Sequence, residues 1–385
     1  RAYQSYLGAS QKHGAFPQLD KIGRFIRGFD ASPDGNVLLY KSINRTTGQN
    51  QIFLADRRDL RSETRLVIDS NPKVESLHPL ESRSFDIDDQ QVVFLARSRG
   101  RDVIYRQDYQ TKTEKTEKHD PDNPAKPPVK EIRTRIKTGS RTGYRLAQKG
   151  LLAAEAPAIA PDGRRIAFIG LGEAGQKDLY VLTPDGDNGD FSLTQITDDA
   201  FAERGLDWGE QGLVFSSDET GHGRYNLFRI DPTAGAEAER LTSSPVDHLD
   251  PAIISDGDVM FVAYDKGRAN LYTVRDDHVV RKTDITTGLF NPSPGPNGGA
   301  WALFHHAGQR VPVQLTTETL GSFNHSASTP DVPSRDLELR TLDASNDYKP
   351  LALRNWELNN GFGILGISGE GIFGQLYASA SDRID

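Results

Sequence analysis

Few residues of this 385-residue chain stand at spacings that do chemistry. An acyl-transfer nucleophile needs Gly-x-Ser-x-Gly on a strand-to-helix turn, which lifts the serine hydroxyl clear of the sheet. The nearest text, Gly366-Ile367-Ser368-Gly369-Glu370, lacks the last glycine and no helix follows it. Gly170-x-Gly172-x-x-Gly175 and Gly361-x-Gly363-x-x-Gly366 spell a dinucleotide fingerprint. Neither leads into a helix N-terminus that would hold a pyrophosphate, so both read as accidental. Asp185, Asp187, Asn188 and Asp190 offer the hard oxygens calcium takes. Their spacing is not that of an EF-hand and no glutamate closes the set, so they read as a polar turn. His305 and His306 are adjacent, and on a strand adjacent residues face opposite ways, so they cannot hold one ion together. With no cysteine there is neither a disulfide framework nor a thiolate zinc site. The sequence assigns no catalytic residue, no metal ligand and no cofactor.

One constellation has binding chemistry. Gln49, Arg101, Gln176, Arg224, Arg268 and Gln309 are the second residues of a phrase that recurs six times, Gly-(Gln/Arg)-x-x-apolar-apolar, usually ending in an aromatic. The copies begin at Gly48, Gly100, Gly175, Gly223, Gly267 and Gly308, spaced 52, 75, 48, 44 and 41 residues apart, and the sixth is degenerate. If the copies are equivalent turns, three guanidiniums and three amides ring one mouth of a channel. Arginine grips carboxylates bidentately, so the ring would receive an acidic peptide or a chain terminus. The competing reading is that exposed turns simply favour long polar side chains.

The elements that position this ring follow from a second landmark. Phe29-Asp30-Ala31-Ser32-Pro33-Asp34-Gly35 precedes Val37-Leu38-Leu39-Tyr40, and Pro157-Ala158-Ile159-Ala160-Pro161-Asp162-Gly163 precedes Ile166-Ala167-Phe168-Ile169. Pro-Asp-Gly between apolar runs is a hairpin turn, because proline presets φ and glycine accepts a positive φ. Degraded versions occur at Asp86-Ile87-Asp88-Asp89, Asp207-Trp208-Gly209-Glu210, Ser255-Asp256-Gly257 and Ser293–Gly298. Each unit thus reads as strand, Asp-Gly turn, apolar strand, glycine turn, strand ending in Leu-Tyr, and a closing strand. Pairs such as Ile196-Thr197 and Leu241-Thr242 follow the closing strands. Four short strands per unit, with a period in the forties, predict an all-β fold: a six-bladed β-propeller of four-stranded antiparallel blades over residues 25–320.

The rest of the chain divides by composition. Residues 110–150 carry Lys112, Lys115, Lys118, Lys126, Lys130 and Lys137 with four prolines and interleaved acids, and are expected as a charged loop inserted in blade two. Residues 1–24 are too few for a domain and are expected to supply a strand that closes the ring. Residues 321–347 read as a linker. In residues 348–385, glycines alternate with Phe362, Ile364, Ile367, Ile372, Phe373, Leu376 and Tyr377, which suits the start of an outer-membrane β-barrel. A net charge of −8 argues against nucleic-acid binding, and no run approaches the ~20 apolar residues of a membrane helix. The chain begins at Arg1 and reads as a mature product or a fragment.

The paired landmarks Ser-Pro-Asp-Gly and Gly-x-x-Asn/Asp-Leu-Tyr resemble the PD40 (WD40-like) repeats of TolB-like six-bladed propellers. TolB itself carries an α/β domain ahead of its propeller, for which 24 residues leave no room. The tail resembles the opening of the barrel in outer-membrane proteins with a TolB-like propeller on their periplasmic side. The resemblance implies a non-catalytic scaffold in the bacterial periplasm, associated with the outer membrane and binding a protein or peptide. The same repeats resemble the propellers that gate serine hydrolases of the prolyl-oligopeptidase type, whose catalytic domain this chain lacks. A lectin-like propeller holding metal or sugar is a third, weaker reading.

Overall fold

The computed structural model describes residues 25–44, 46–69, 73–78, 83–118, 129–219, 223–254, 257–265, 267–276, 278–306, 309–323, 356–368 and 371–382. The chain forms two compact units, residues 1–330 and 331–385. Residues 1–24, where a closing strand is expected, lie outside the described residues, as do 324–347 of the linker.

The first unit is a six-bladed propeller. Blade 1 consists of β1 (Phe25–Ala31), β2 (Val37–Ile43), β3 (Asn50–Asp56) and β4 (Asp59–Ile68). In blade 2, the short β5 (Ser76–Leu77) and β6 (Phe85–Ile87) both pair with β7 (Gln91–Ser98), followed by β8 (Arg101–Lys118) and β9 (Val129–Arg145). Blade 3 holds β10 (Leu151–Ile159), β11 (Ile166–Gly172), β12 (Lys177–Pro184) and β13 (Phe191–Gln195). Blade 4 holds β14 (Glu203–Gly209), β15 (Gly212–Ser217), β16 (Asn226–Ile230) and β17 (Glu239–Arg240). Blade 5 holds β18 (His248–Ile253), β19 (Val259–Asp265), β20 (Arg268–Arg275) and β21 (His278–Arg281). Blade 6 has three strands among the described residues, β22 (Leu289–Pro294), β23 (Ala300–His306) and β24 (Gln309–Leu315). The pairing is antiparallel within each blade.

Both landmarks have physical causes. In the Pro-Asp-Gly turns, Gly35 N–H donates to Ser32 O at 2.7 Å and Gly163 N–H to Ala160 O at 2.8 Å, with both glycines at positive φ. Gly35 is also required for contact: a Cβ there would lie 2.6 Å from the Gly295 carbonyl carbon of blade 6. The aromatic ending the other phrase pairs across strands with an aromatic of the preceding strand. Phe94 stacks on Tyr105, Phe168 on Tyr180, Phe215 on Phe228 and Phe261 on Tyr272, with centroids 5.3–6.0 Å apart. Such pairs are worth about 0.5–1.5 kcal/mol beyond the area they bury. The fourth residue of the phrase holds the closing connector. Asn270 Oδ1 accepts the Thr283 hydroxyl and Ile285 N–H, while Thr283 Oγ1 accepts Leu271 N–H at 2.9 Å. Asn226 and Thr242 repeat this arrangement, and Thr197 Oγ1 accepts Leu179 N–H at 2.8 Å.

The core is divided into six seams between successive blades, because each twisted sheet buries both faces against its neighbours. The last seam closes the ring: Phe29, Leu38, Tyr40 and Phe53 of blade 1 pack with Trp301 and Leu303 of blade 6. Trp301 is fully buried and its indole N–H donates to Gly35 O at 3.0 Å.

The charged segment of blade 2 differs from the expected loop. β8 and β9 continue the blade as one long hairpin, paired from Val103↔Arg145 to Lys118↔Val129 with one irregularity between Gln107 and Tyr109, and residues 119–128 lie outside the description. Its base is anchored on blade 1. Tyr109 and Ile136 join the seam between blades 1 and 2, Thr64 Oγ1 donates to Ile136 O at 3.0 Å, and Arg141 Nη2 donates to Leu66 O at 2.8 Å.

The second unit is a hairpin of β25 (Trp356–Ser368) and β26 (Gly371–Asp382), in register from Trp356↔Asp382 to Ser368↔Gly371 with one irregularity between Leu358 and Asn360. Ser368 therefore ends a strand that turns into another strand, which is not the setting of a nucleophile elbow.

Candidate functional site: the central channel and its mouth

The inner strand of each blade lines the channel, and five of the six carry a register shift. In blades 3–6 the shift places Ala156, Gly205, Asp250 and Asn291 at φ of 45–55°. For the three non-glycine residues this conformation costs about 1–2 kcal/mol each. What it achieves is visible in the carbonyls that follow it. Arg83, on the blade 2 segment just before β6, reaches across the channel: Nη1 donates to Pro251 O at 2.6 Å and to Leu206 O at 3.4 Å, and Nη2 donates to Pro292 O at 2.7 Å. Each acceptor belongs to the residue directly after a positive-φ residue, in blades 4, 5 and 6. The bulges turn three carbonyls toward one guanidinium.

Carboxyls surround that guanidinium. Asp30, Asp86 and Asp207 occupy the same register position on the inner strands of blades 1, 2 and 4, opposite Leu39, Val93 and Val214. Two of them join blades: Asp86 Oδ2 accepts Ile159 N–H of blade 3 and Asp207 Oδ2 accepts Ile253 N–H of blade 5, both at 2.6 Å. Burial raises the pKa of Asp30, Asp207 and Asp250, and the Arg83 charge opposes this in all three. Asp86 is raised well above the ordinary carboxylate range, by burial and then by repulsion from Asp30 and Asp207. Asp30, Asp207 and Asp250 feel the Arg83 guanidinium, Asp250 also feels Arg310 and Arg204, and the raised pKa values of all four acids favour proton retention in this acidic cluster.

Outward from this constriction the channel widens into a cavity of 2040 Å³, lined by the turns between the first and second strands of all six blades. Pro33, Asp89, Asp162, Glu210, Gly257 and Asn297 mark its rim, one per blade. Asp108 and Lys137 of the long blade 2 hairpin add to the wall on one side.

The sequence-predicted ring lies on the other face. Gln49, Arg101, Gln176, Arg224, Arg268 and Gln309 all sit at the turn between second and third strands, at equivalent positions, and none lines the cavity. Because that turn is one strand removed from the inner strand, the ring is wider than the channel. Several members bind the blade connectors: Gln49 Nε2 donates to Asp69 O at 3.4 Å, Gln176 Nε2 to Asp199 O, and Arg224 Nη1 to Asp247 Oδ2 at 3.2 Å. Arg101 and Arg268 are exposed, and the Gln309 side chain lies outside the description. Of the other candidates, Gly170–Gly175 falls in the β11–β12 hairpin, and Asp185–Asp190 is a closed turn in which Asp185 N–H donates to Asp190 O at 2.8 Å.

Sequence reasoning missed Arg83 and the bulges. A signal was present in the triplets Ala156-Pro157-Ala158, Asp250-Pro251-Ala252 and Asn291-Pro292-Ser293, which put a proline after each of the three non-glycine positive-φ residues of the inner strands.

These features define a six-bladed β-propeller whose channel is crossed by Arg83 and opens into a wide cavity on one face. No protein-family model and no curated protein matches the chain. Among solved structures the chain is similar to a putative TolB from Agrobacterium tumefaciens, at TM-score 0.50 and 16% identity over 76% of this chain and 91% of that one. TolB from Acinetobacter baumannii follows at TM-score 0.46 and 15% identity, over 74% of this chain and 64% of that one. A puromycin-hydrolyzing peptidase from Mycobacterium tuberculosis matches at TM-score 0.48 and 14% identity, over 83% and 56%. At such identities the likeness establishes the fold. The structural neighbours of this propeller include TolB proteins.

Proposed function

We propose that this chain is a non-catalytic propeller that docks a protein or peptide partner in the bacterial periplasm, as part of a protein associated with the outer membrane. The observation that carries this reading is the cavity. At 2040 Å³ it exceeds the roughly 300–1,000 Å³ of small-molecule sites, and its inner end is occupied by Arg83. Such a mouth suits a segment of polypeptide. The tail supports the membrane association: β25 and β26, at 13 and 12 residues, exceed the ~9–11 residues a tilted strand needs to cross a bilayer. Their register sets Gly361, Gly363, Leu365 and Ile367 against Ala378, Leu376, Gly374 and Ile372, a wholly apolar set on one face.

The test separates the two faces of the disc. Tagged full-length protein is used to co-purify envelope proteins, which are identified by mass spectrometry. The wild type is compared with Asp34→Ala/Asp89→Ala/Glu210→Ala at the cavity rim and with Arg101→Ala/Arg224→Ala/Arg268→Ala on the opposite ring. Loss of a specific partner in the rim variant alone is the expected result. Loss in the arginine variant alone moves the contact to Gln49, Arg101, Gln176, Arg224, Arg268 and Gln309. Undiminished capture by both variants overturns docking through either face.

A further inference from the structure

The cavity takes up one end of the channel. At the other end, blades 4, 5 and 6 bring together a group of arginines and aromatics. Arg204 pairs across strands with Ser216, Tyr264 with Ala269 and Arg310 with His305, all close to turns between second and third strands. They therefore lie on the face opposite the cavity, and none of them lines it. They are also distinct from the ring formed by the second residues of the repeated phrase. Arg204 and Phe290 belong to inner strands and Arg310 reaches over the Phe290 ring, so this group lies nearer the channel axis than that ring does.

Two guanidiniums are held here by rings rather than by acids. The Arg204 Cζ lies 5.5 Å from the Tyr225 centroid, and the Arg310 Cζ lies 5.1 Å from that of Phe290. Both side chains are exposed, and among the described residues neither makes an ion pair. Arg224 and Arg281, by contrast, are paired with Asp247 and Asp284. A ring face holds a guanidinium by cation–π attraction while its N–H edge stays open to an anion. The two charges converge, since both act on Asp250 and on the Tyr264 hydroxyl. Tyr264 is 39% exposed, and its ring tilts against Phe290 with centroids 6.5 Å apart. Asp250 and Asn291 hold the same inner-strand position of blades 5 and 6, each one residue before a carbonyl that binds Arg83. Asn291 N–H donates to the Asp250 carboxylate. The Asn291 side chain is fully buried, and neither Oδ1 nor Nδ2 has a hydrogen-bond partner among the described residues. Buried amides are almost always paired, so this one singles out the same end of the channel.

We propose that this end of the channel is a second binding site, for an aryl carboxylate: the carboxylate sits between the Arg204 and Arg310 guanidiniums, and the aromatic ring packs on Tyr264. The site is separate from docking at the cavity rim. An arginine's fork of N–H donors matches the two oxygens of a carboxylate. The anion is singly charged, because Asp250 stands within reach of both arginines and opposes a dianion such as phosphate. Burial raises the pKa of Asp250, with Arg83, Arg310 and Arg204 acting against it, so this acid more readily holds a proton beside an incoming carboxylate. The exposed Tyr264 ring supplies the apolar half of the site, since offset or edge-to-face contact with a second ring takes its face out of water. A free organic acid and the C-terminus of a peptide that ends in an aromatic residue present the same chemistry.

Calorimetric titration of the full-length protein tests this with phenylpropionate and with the tripeptide Ala-Ala-Phe. A dissociation constant of about 1 mM is expected for a ligand of this size. Arg204→Gln and Arg310→Gln should each weaken binding about tenfold, and Tyr264→Ala about threefold. Asp34→Ala/Asp89→Ala/Glu210→Ala should bind as the wild type does, so a failure of docking at the rim and a failure of this site are told apart. Binding of the peptide alone supports the site and assigns it to a chain terminus. Binding of phenylpropionate alone supports it and assigns it to a free organic acid. The C-terminal amide of the peptide, phenylpropionamide and inorganic phosphate serve as controls that should not bind measurably. The proposal is overturned if neither carboxylate binds, if an amide binds as well as its acid, if phosphate binds as well as the carboxylates, or if both folded arginine variants keep the wild-type affinity.

Discussion

Replacing Glu203 by glutamine should reverse sign in its effect on stability between pH 5 and pH 9. Glu203 opens the inner strand of blade 4 and is 1% exposed. Its Oε1 accepts the Thr197 hydroxyl at 3.3 Å, and its Oε2 is buried without a partner among the described residues. Burial, reinforced by the charges of Asp199 and Asp178, pushes its pKa up to about 8 from an ordinary 4.5. The folded protein therefore holds a proton that the unfolded chain releases. The stability linked to that proton is complete below pH 4.5 and is lost as pH rises through 8. From pH 5 to pH 9 the loss is about 4 kcal/mol. Glutamine keeps the acceptor for Thr197 and cannot ionise, but its amide N–H₂ replaces the unpartnered oxygen at a cost of about 1 kcal/mol. The variant should thus be about 1 kcal/mol less stable than wild type at pH 5 and about 3 kcal/mol more stable at pH 9. Guanidinium unfolding of both proteins at pH 5, 7 and 9 measures the difference, in which the titration of Asp86 and the other channel carboxyls cancels. Parallel stability–pH curves would refute the assignment.

Other consequences of the structure can be measured in the same way. Arg83→Met removes the donor to three channel carbonyls and a cation that acts on Asp30, Asp207 and Asp250; the expected loss is about 3–5 kcal/mol at pH 8. That loss should be smaller at pH 5, where these acids, all with raised pKa values, more readily hold protons, and a pH-independent loss would contradict the arrangement. Thr283→Val strands Leu271 N–H and weakens the hold of Asn270 on the connector, costing about 1–3 kcal/mol in thermal or denaturant unfolding. Trp301→Phe retains ring packing against Phe29 but abolishes the bond to Gly35 O, for a loss of about 1–2 kcal/mol. A fluorophosphonate probe should leave the native protein unlabelled; labelling of a serine would favour the hydrolase-gating alternative.

What could be read from the sequence is what the blades repeat. The glycine of the phrase, its terminal aromatic and the threonine pairs were legible because each serves a contact made within one blade, at a fixed distance along the chain. Gly267 turns the strand, Tyr272 stacks on Phe261 and Asn270 meets Thr283, all within 23 residues of one another. Arg83 has no such signal, because its acceptors lie 123, 168 and 209 residues away and are backbone oxygens, which carry no side-chain identity. The blade 2 hairpin was obscured for a different reason. Its lysines and prolines give it the composition of a loop, while the period-two placement of Thr111, Thr113, Ile136 and Thr138 encodes strands, and Tyr109 and Ile136 are buried near the base. The same logic explains the placement of the candidate site. The repeat marks the turns between second and third strands most strongly, and there Gln49, Gln176 and Arg224 fasten the connectors that lead to the next blade. The opposite face, with its irregular turns Asp88-Asp89, Gly209-Glu210 and Gly295–Gly298, is where the cavity opens. A side chain engaged in fastening a connector has less freedom to recognise a partner. The turns that depart from the Pro-Asp-Gly pattern do have that freedom, and this favours the cavity rim as the docking face.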